Sequence, residues 1–122
     1  MRWLLLFSLL AISVRAAEQS AALVPVGVAK VDITPELPIR LSGYQARTAE
    51  ATKAETKLFA RALAIGSDAQ KPVVLITLEL IGVGEQTSDA VASALMATHG
   101  IDRAHVAICA THTHTGPALA DV

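Results

Sequence analysis

The chain has 122 residues, enough for one small domain, and its apolar share of 52% suffices for a core of modest size. A formal charge of −1 excludes a chain built to bind nucleic acid or an anionic membrane surface by bulk charge. An aromatic share of 3% excludes a base-stacking platform.

Met1-Arg2 forms a short positive start, and Trp3 to Val14 (WLLLFSLLAISV) is an apolar run too short to span a bilayer as a helix. Val14-Arg15-Ala16 places small residues at −3 and −1 of a cleavage site. Residues 1–16 therefore read as a secretory signal peptide, against the plainer alternative of an uncleaved anchor. The mature chain, 17–122, is expected to be secreted or periplasmic, with no stable membrane span after cleavage.

Glu18 to Leu23 reads as an unstructured lead-in. Val24 to Ile33 (VPVGVAKVDI) alternates β-branched residues and predicts a strand from about Val26. "DITPELP" carries two prolines and predicts a turn, where Asp32 hydrogen-bonds nearby backbone amides. Residues 45–56 (QARTAEATKAET) read as a loop or a loose surface helix. Lys57 to Ile65 alternates in a way that fits a strand or a helix. "GSDAQKP" is a turn signal, and Pro72 to Ile81 (PVVLITLELI) reads as a strand buried on both faces. The pair suggests a hairpin, which favours a strand for 57–65.

Glu85 to His99 is the clearest helix. Val91, Leu95 and Met96 form an apolar stripe, with Met96 read as core packing. Thr87 or Ser88 can cap its start, and Gly100 ends it. His99, in the last turn, reads as structural or exposed. His105 to Ala110 is a further strand, and strand–helix–strand over 72–110 makes a βαβ unit with parallel strands. The fold class is α/β, a mixed sheet with a βαβ unit. "GVG" at 82–84 lacks the rest of a phosphate-loop pattern. Cys109 is the sole cysteine, so no internal disulfide can form. It reads as a buried core thiol, with a nucleophile served by His112 as the rival.

In a βαβ layer, ligands gather at the carboxyl ends of parallel strands. The last strand runs into "ATHTHTGP", 110–117. On an extended chain His112 and His114 face the same side and can approach one ion at about 2.0–2.1 Å. The plainer reading is two solvent-facing histidines in a polar loop. Thr111 and Thr115 could orient the imidazoles, and Glu79 could approach from the neighbouring strand as a ligand, support the site as the favoured reading, or stand as a charge at the strand end. Two histidines fall short of the three protein ligands of a catalytic zinc.

Five stretches in order, "VGVAKVDITP" (26–35), "LSGY" (41–44), "LFARALAI" (58–65), "PVVLITLELIGV" (72–83) and "ATHTHTGP", resemble the N-terminal part of the neutral, non-lysosomal ceramidase family. The shorter bacterial relatives resemble it most. The resemblance implies the incomplete N-terminal part of a larger catalytic domain in a zinc amidase that cleaves the amide of ceramide to sphingosine and a fatty acid. It implies Zn2+ as cofactor, His112 as a zinc ligand, and His114 beside the metal as a catalytic residue. It implies a ceramide-like lipid amide as substrate. The family's other ligands, a histidine, a glutamate and a tyrosine, lie far downstream, so the chain as given is expected to be inactive. Tyr44 matches the family's Gly-Tyr motif rather than that tyrosine. Thr115 stands for the family's usual serine, Glu79 for its usual aspartate, and Ala118 for the glycine common after Gly-Pro. The rivals are a non-catalytic secreted metal-binding module and a metal-dependent hydrolase of a different amide or ester.

Overall fold

The computed structural model describes residues 23–122. The apolar stretch read as a signal peptide lies outside them. Among the described residues six strands and one α-helix follow one another: β1 (Val26–Asp32), β2 (Ile39–Arg40), β3 (Glu50–Ala51), β4 (Phe59–Ile65), β5 (Val73–Leu78), α1 (Glu85–His99) and β6 (Val106–Ala110). β1, β4, β5 and β6 form one sheet in that spatial order, and β2 pairs with β3 in a separate ribbon. β1–β4 and β4–β5 are antiparallel, and β5–β6 is parallel. The mixed α/β sheet with its βαβ crossover is thus as the sequence predicts. The parallel pair exists because α1 carries the chain back across the sheet before β6 begins.

β4 and β5 are joined through Gly66, at φ 118°, and Lys71, at φ 59°, around one turn of 3-10 helix. Strand side chains alternate between faces. One face of the sheet presents Ala64, Val74, Ile76, Val106 and Ile108, and these meet Leu95 of α1 and Ile101. Val74, Ile101 and Val106 are the buried centre of this cluster. The opposite face presents Val26, Val28, Val73 and Leu75, all exposed.

That division corrects three expectations. β5 is covered on one face only: Val74 is 6% exposed and its neighbour Val73 is 55% exposed. Cys109 shares the open face and is exposed rather than a core thiol, because it sits out of phase with Ile108. Met96 is 45% exposed, so the stripe on α1 runs through Val91, Ala92 and Leu95 without it.

The start of α1 is also different from expectation. Gly84 is the N-cap residue, with no side-chain cap of its own. The cap comes instead from Asp121, whose carboxylate accepts from the Thr87 N–H at 2.8 Å and from the Thr87 hydroxyl at 3.1 Å. A carboxylate there satisfies an orphan donor and complements the helix dipole. The Thr87 N–H in turn holds the Asp121 carboxyl below its ordinary range. A side chain at position 84 would collide with Asp121, so a glycine stands where the tail docks. At the other end Gly100 adopts φ 63°, and its N–H returns to the Met96 carbonyl at 2.9 Å. This left-handed cap turns Ile101 back into the core.

Candidate metal centre

The parallel ladder continues past the ends of β5 and β6. The Thr111 N–H donates to the Leu78 carbonyl at 2.9 Å, and the Thr113 N–H donates to the Leu80 carbonyl at 3.2 Å. The two loops therefore leave the sheet side by side. His112 lies between those two rungs, and its Nδ1 meets the Ile81 carbonyl at 2.7 Å. A carbonyl only accepts, so Nδ1 carries the proton. In the neutral ring Nε2 then keeps its lone pair, the arrangement that a metal-binding imidazole needs.

His112 is not extended, as the His-x-His reading supposed. Its φ is 61°, a left-handed conformation rare for a side-chain-bearing residue. The two imidazoles still meet, with ring centroids 5.2 Å apart and planes at 68°. Period-two alternation is thus not what joins them; the left-handed step at 112 and the bend over 114–116 are.

The supporting groups differ from those expected. Glu79 commits its carboxylate to the Phe59 N–H at 2.8 Å and to Arg61 at 2.6 Å. The Arg61 guanidinium, then the Phe59 N–H, hold the Glu79 carboxyl below its ordinary range. Glu79 is therefore a sheet-end ion pair, turned to the open face with Arg61, rather than a partner of the histidines. Thr115 shares a hydrogen bond of 2.9 Å with Thr113 instead of orienting an imidazole. Asp32 behaves as predicted and accepts from the Thr34 N–H at 3.0 Å. It also pairs with Lys57 at 2.7 Å.

Sequence reasoning missed a second wall of the site, the loop after β2. Leu41 bridges Pro117, and the Ser42 N–H donates to the Gly116 carbonyl at 3.0 Å. Gly43, at φ 102°, lies directly against His114: a Cβ there would fall 2.6 Å from His114 Cβ. The Tyr44 ring stands edge-on to the His114 ring with centroids 4.9 Å apart. The only signal for this wall was the "LSGY" stretch itself. Gly116 is buried, and a Cβ on it would press on the Glu79 carbonyl at 3.2 Å and on Leu58 at 3.3 Å.

The donor chemistry suits a borderline-soft divalent cation such as zinc, with His112 offering Nε2 and His114 adjacent. Among the described residues no group of three or more His, Cys, Asp or Glu side chains converges on one point. This wall of the site therefore supplies two imidazoles and no carboxylate.

Comparison with known proteins agrees with the family resemblance. The model described as "Neutral/alkaline non-lysosomal ceramidase, N-terminal" matches residues 25–120. The neutral ceramidase from Pseudomonas aeruginosa shares the fold with a TM-score of 0.69 and 27% identity, over 78% of this chain and 16% of that one. A ceramidase complexed with C2 gives a TM-score of 0.61 and 26% identity, over 78% of this chain and 15% of that one. No match to a curated protein was found. The chain thus spans a small part of the length of the ceramidases it resembles. With the family model matched from β1 through the histidine loop, this chain belongs to the neutral/alkaline non-lysosomal ceramidase family.

Proposed function

We propose that residues 17–122 form the N-terminal portion of the catalytic domain of a secreted or periplasmic zinc-dependent amidohydrolase, exported by way of residues 1–16. Its substrate is a ceramide-like lipid amide, hydrolysed to a long-chain amine and a fatty acid. The observation that carries the metal assignment is the His112 Nδ1 contact with the Ile81 carbonyl, which leaves Nε2 as a ligand at the carboxyl end of a parallel strand pair.

His112 holds the zinc ion, and His114, beside it, donates a hydrogen bond or shuttles a proton at the reacting amide. Zinc supplies Lewis acidity when bound. The remaining ligands are the family's downstream histidine, glutamate and tyrosine. Two imidazoles alone leave the chain as given without hydrolytic activity. No helix of the described residues is long and apolar enough to cross a membrane.

The test is zinc content of a full-length relative that carries the downstream ligands, wild type against the alanine variant of the histidine matching His112, with hydrolysis of an N-acyl amide by the 122-residue chain followed in parallel. The expected loss of zinc affinity is at least about tenfold. Unchanged zinc content in the variant would sink the assignment. His112-dependent turnover by the 122-residue chain would overturn its inactivity.

A further inference from the structure

The two histidines are held in different ways. The His112 ring is fixed by a hydrogen bond to a carbonyl. The His114 ring is placed by packing, between the edge of Tyr44 and the ring of His112. Packing fixes a ring only if the packing group is itself fixed, and Tyr44 is 59% exposed. What restrains it is Arg47.

Arg47 Nη1 donates to the His114 carbonyl at 2.7 Å and to the Ser42 carbonyl at 3.2 Å. The guanidinium carbon lies 4.8 Å from the centre of the Tyr44 ring, a cation–π arrangement. The Arg47 N–H donates to the Tyr44 carbonyl at 2.9 Å, closing the turn that brings the guanidinium back over the ring. Arg40 donates to the Arg47 carbonyl at 3.2 Å and holds the far side of that turn. One planar cation thus touches the backbone before Tyr44, the Tyr44 ring, and the backbone of the histidine that the ring packs against. Its oxygen contacts are carbonyls rather than carboxylates, so the cation is spent on holding the loops together.

We infer that Arg47 is a positioning residue for the candidate site: by tying the Ser42 and His114 carbonyls together and carrying the Tyr44 ring, it holds the His114 imidazole beside His112. The inference rests on the zinc reading only for what the placed ring does, not for the placement. A lysine at this position would keep the charge but lose the flat face that stacks on Tyr44. A methionine would keep most of the aliphatic bulk and lose the donors.

The test uses isotopically labelled 122-residue chain without metal, as wild type, Arg47→Ala and Arg47→Met. It reads the nuclear Overhauser effect between the Tyr44 and His114 ring protons, with the amide shifts of the four-stranded sheet as a control for folding. The expected result is loss of the Tyr44–His114 effect in both variants while the sheet shifts hold. If Arg47→Ala does not fold, Arg47→Met decides. An unchanged ring contact in a folded variant overturns the inference, and so does failure of both variants to fold, which would make Arg47 a structural residue. The ring contact is read without metal, so it decides the role of Arg47 whether or not the zinc reading holds.

Discussion

Both faces of the four-stranded sheet carry large apolar side chains, and these meet different fates. On one, Val74, Ile76, Val106 and Ile108 are covered by α1 and Ile101. On the other, Val28 is 81% exposed although it pairs, through Leu63 and Leu75, with the same strands. The open face also divides along the strands. Its Val26–Val28 end is apolar. Its other end carries Lys30 and Arg61 over the Phe59 ring, the Arg61–Glu79 pair and the Asp32–Lys57 pair. Hydrophobic side chains stabilise a fold only where something covers them, so the covered face carries the stability and the open face contributes little by burial.

The largest effect is expected from removing the plug of the covered face. Ile101→Ala should cost about 2–5 kcal/mol in a urea titration, because a buried residue leaves a cavity that its neighbours only partly fill. A cost under about 1 kcal/mol would show that the two faces do not differ as their exposure says. Next comes the cap that delivers Ile101. Gly100→Ala forces a Cβ into a left-handed conformation and toward Lys71 Nζ, 3.1 Å away, and should cost about 1–2 kcal/mol. Gly100→Asn should cost less, since asparagine tolerates this conformation.

A smaller effect, dependent on pH, is expected at the charged end of the open face. Lys57, chiefly by its hydrogen bond, and Thr34 lower the Asp32 carboxyl well below its ordinary range. A lowered carboxylate contributes stability that is present above the unfolded value, about 3.9, and lost as pH falls through the folded one. Lys57 is raised by Asp32, so its share is present below about 10.4 and lost as pH rises through its own folded value. The difference in stability between wild type and Asp32→Asn should therefore be flat near neutrality and shrink below pH ~4. A difference that stayed constant into strong acid would remove Asp32 as the cause. The smallest effect is expected at the apolar end. Val28→Thr keeps the β-branched shape on an exposed strand and should stay within about 0.5 kcal/mol. A loss several times larger would mean that Val28 is covered in solution.

Much of the frame was legible in the residues. The alternation of 26–33, the helix over 85–99 with Gly100 behind it, and the parallel pairing forced by a helical crossover all appear where periodicity puts them. Local pattern determines such elements because backbone hydrogen bonds and side-chain phase are set within a few residues. Exposure was not legible in the same way. Pro72 to Ile81 reads as a strand buried twice over, yet one face of it is open. An apolar run reports that a strand can be buried, not what covers it.

The histidine pair followed the same division. Its existence, and its place after the last strand, were fixed by "ATHTHTGP" alone. Which imidazole keeps a free Nε2 depended on the Ile81 carbonyl, 31 residues away in the chain. How His114 is held depended on Gly43, Tyr44 and Arg47, 67 to 71 residues before it. Sequence spacing sets which groups can share a strand or a loop. Only the pairing of one loop with another decides which carbonyl, ring or guanidinium stands beside each of them, because those contacts join segments that no local periodicity connects.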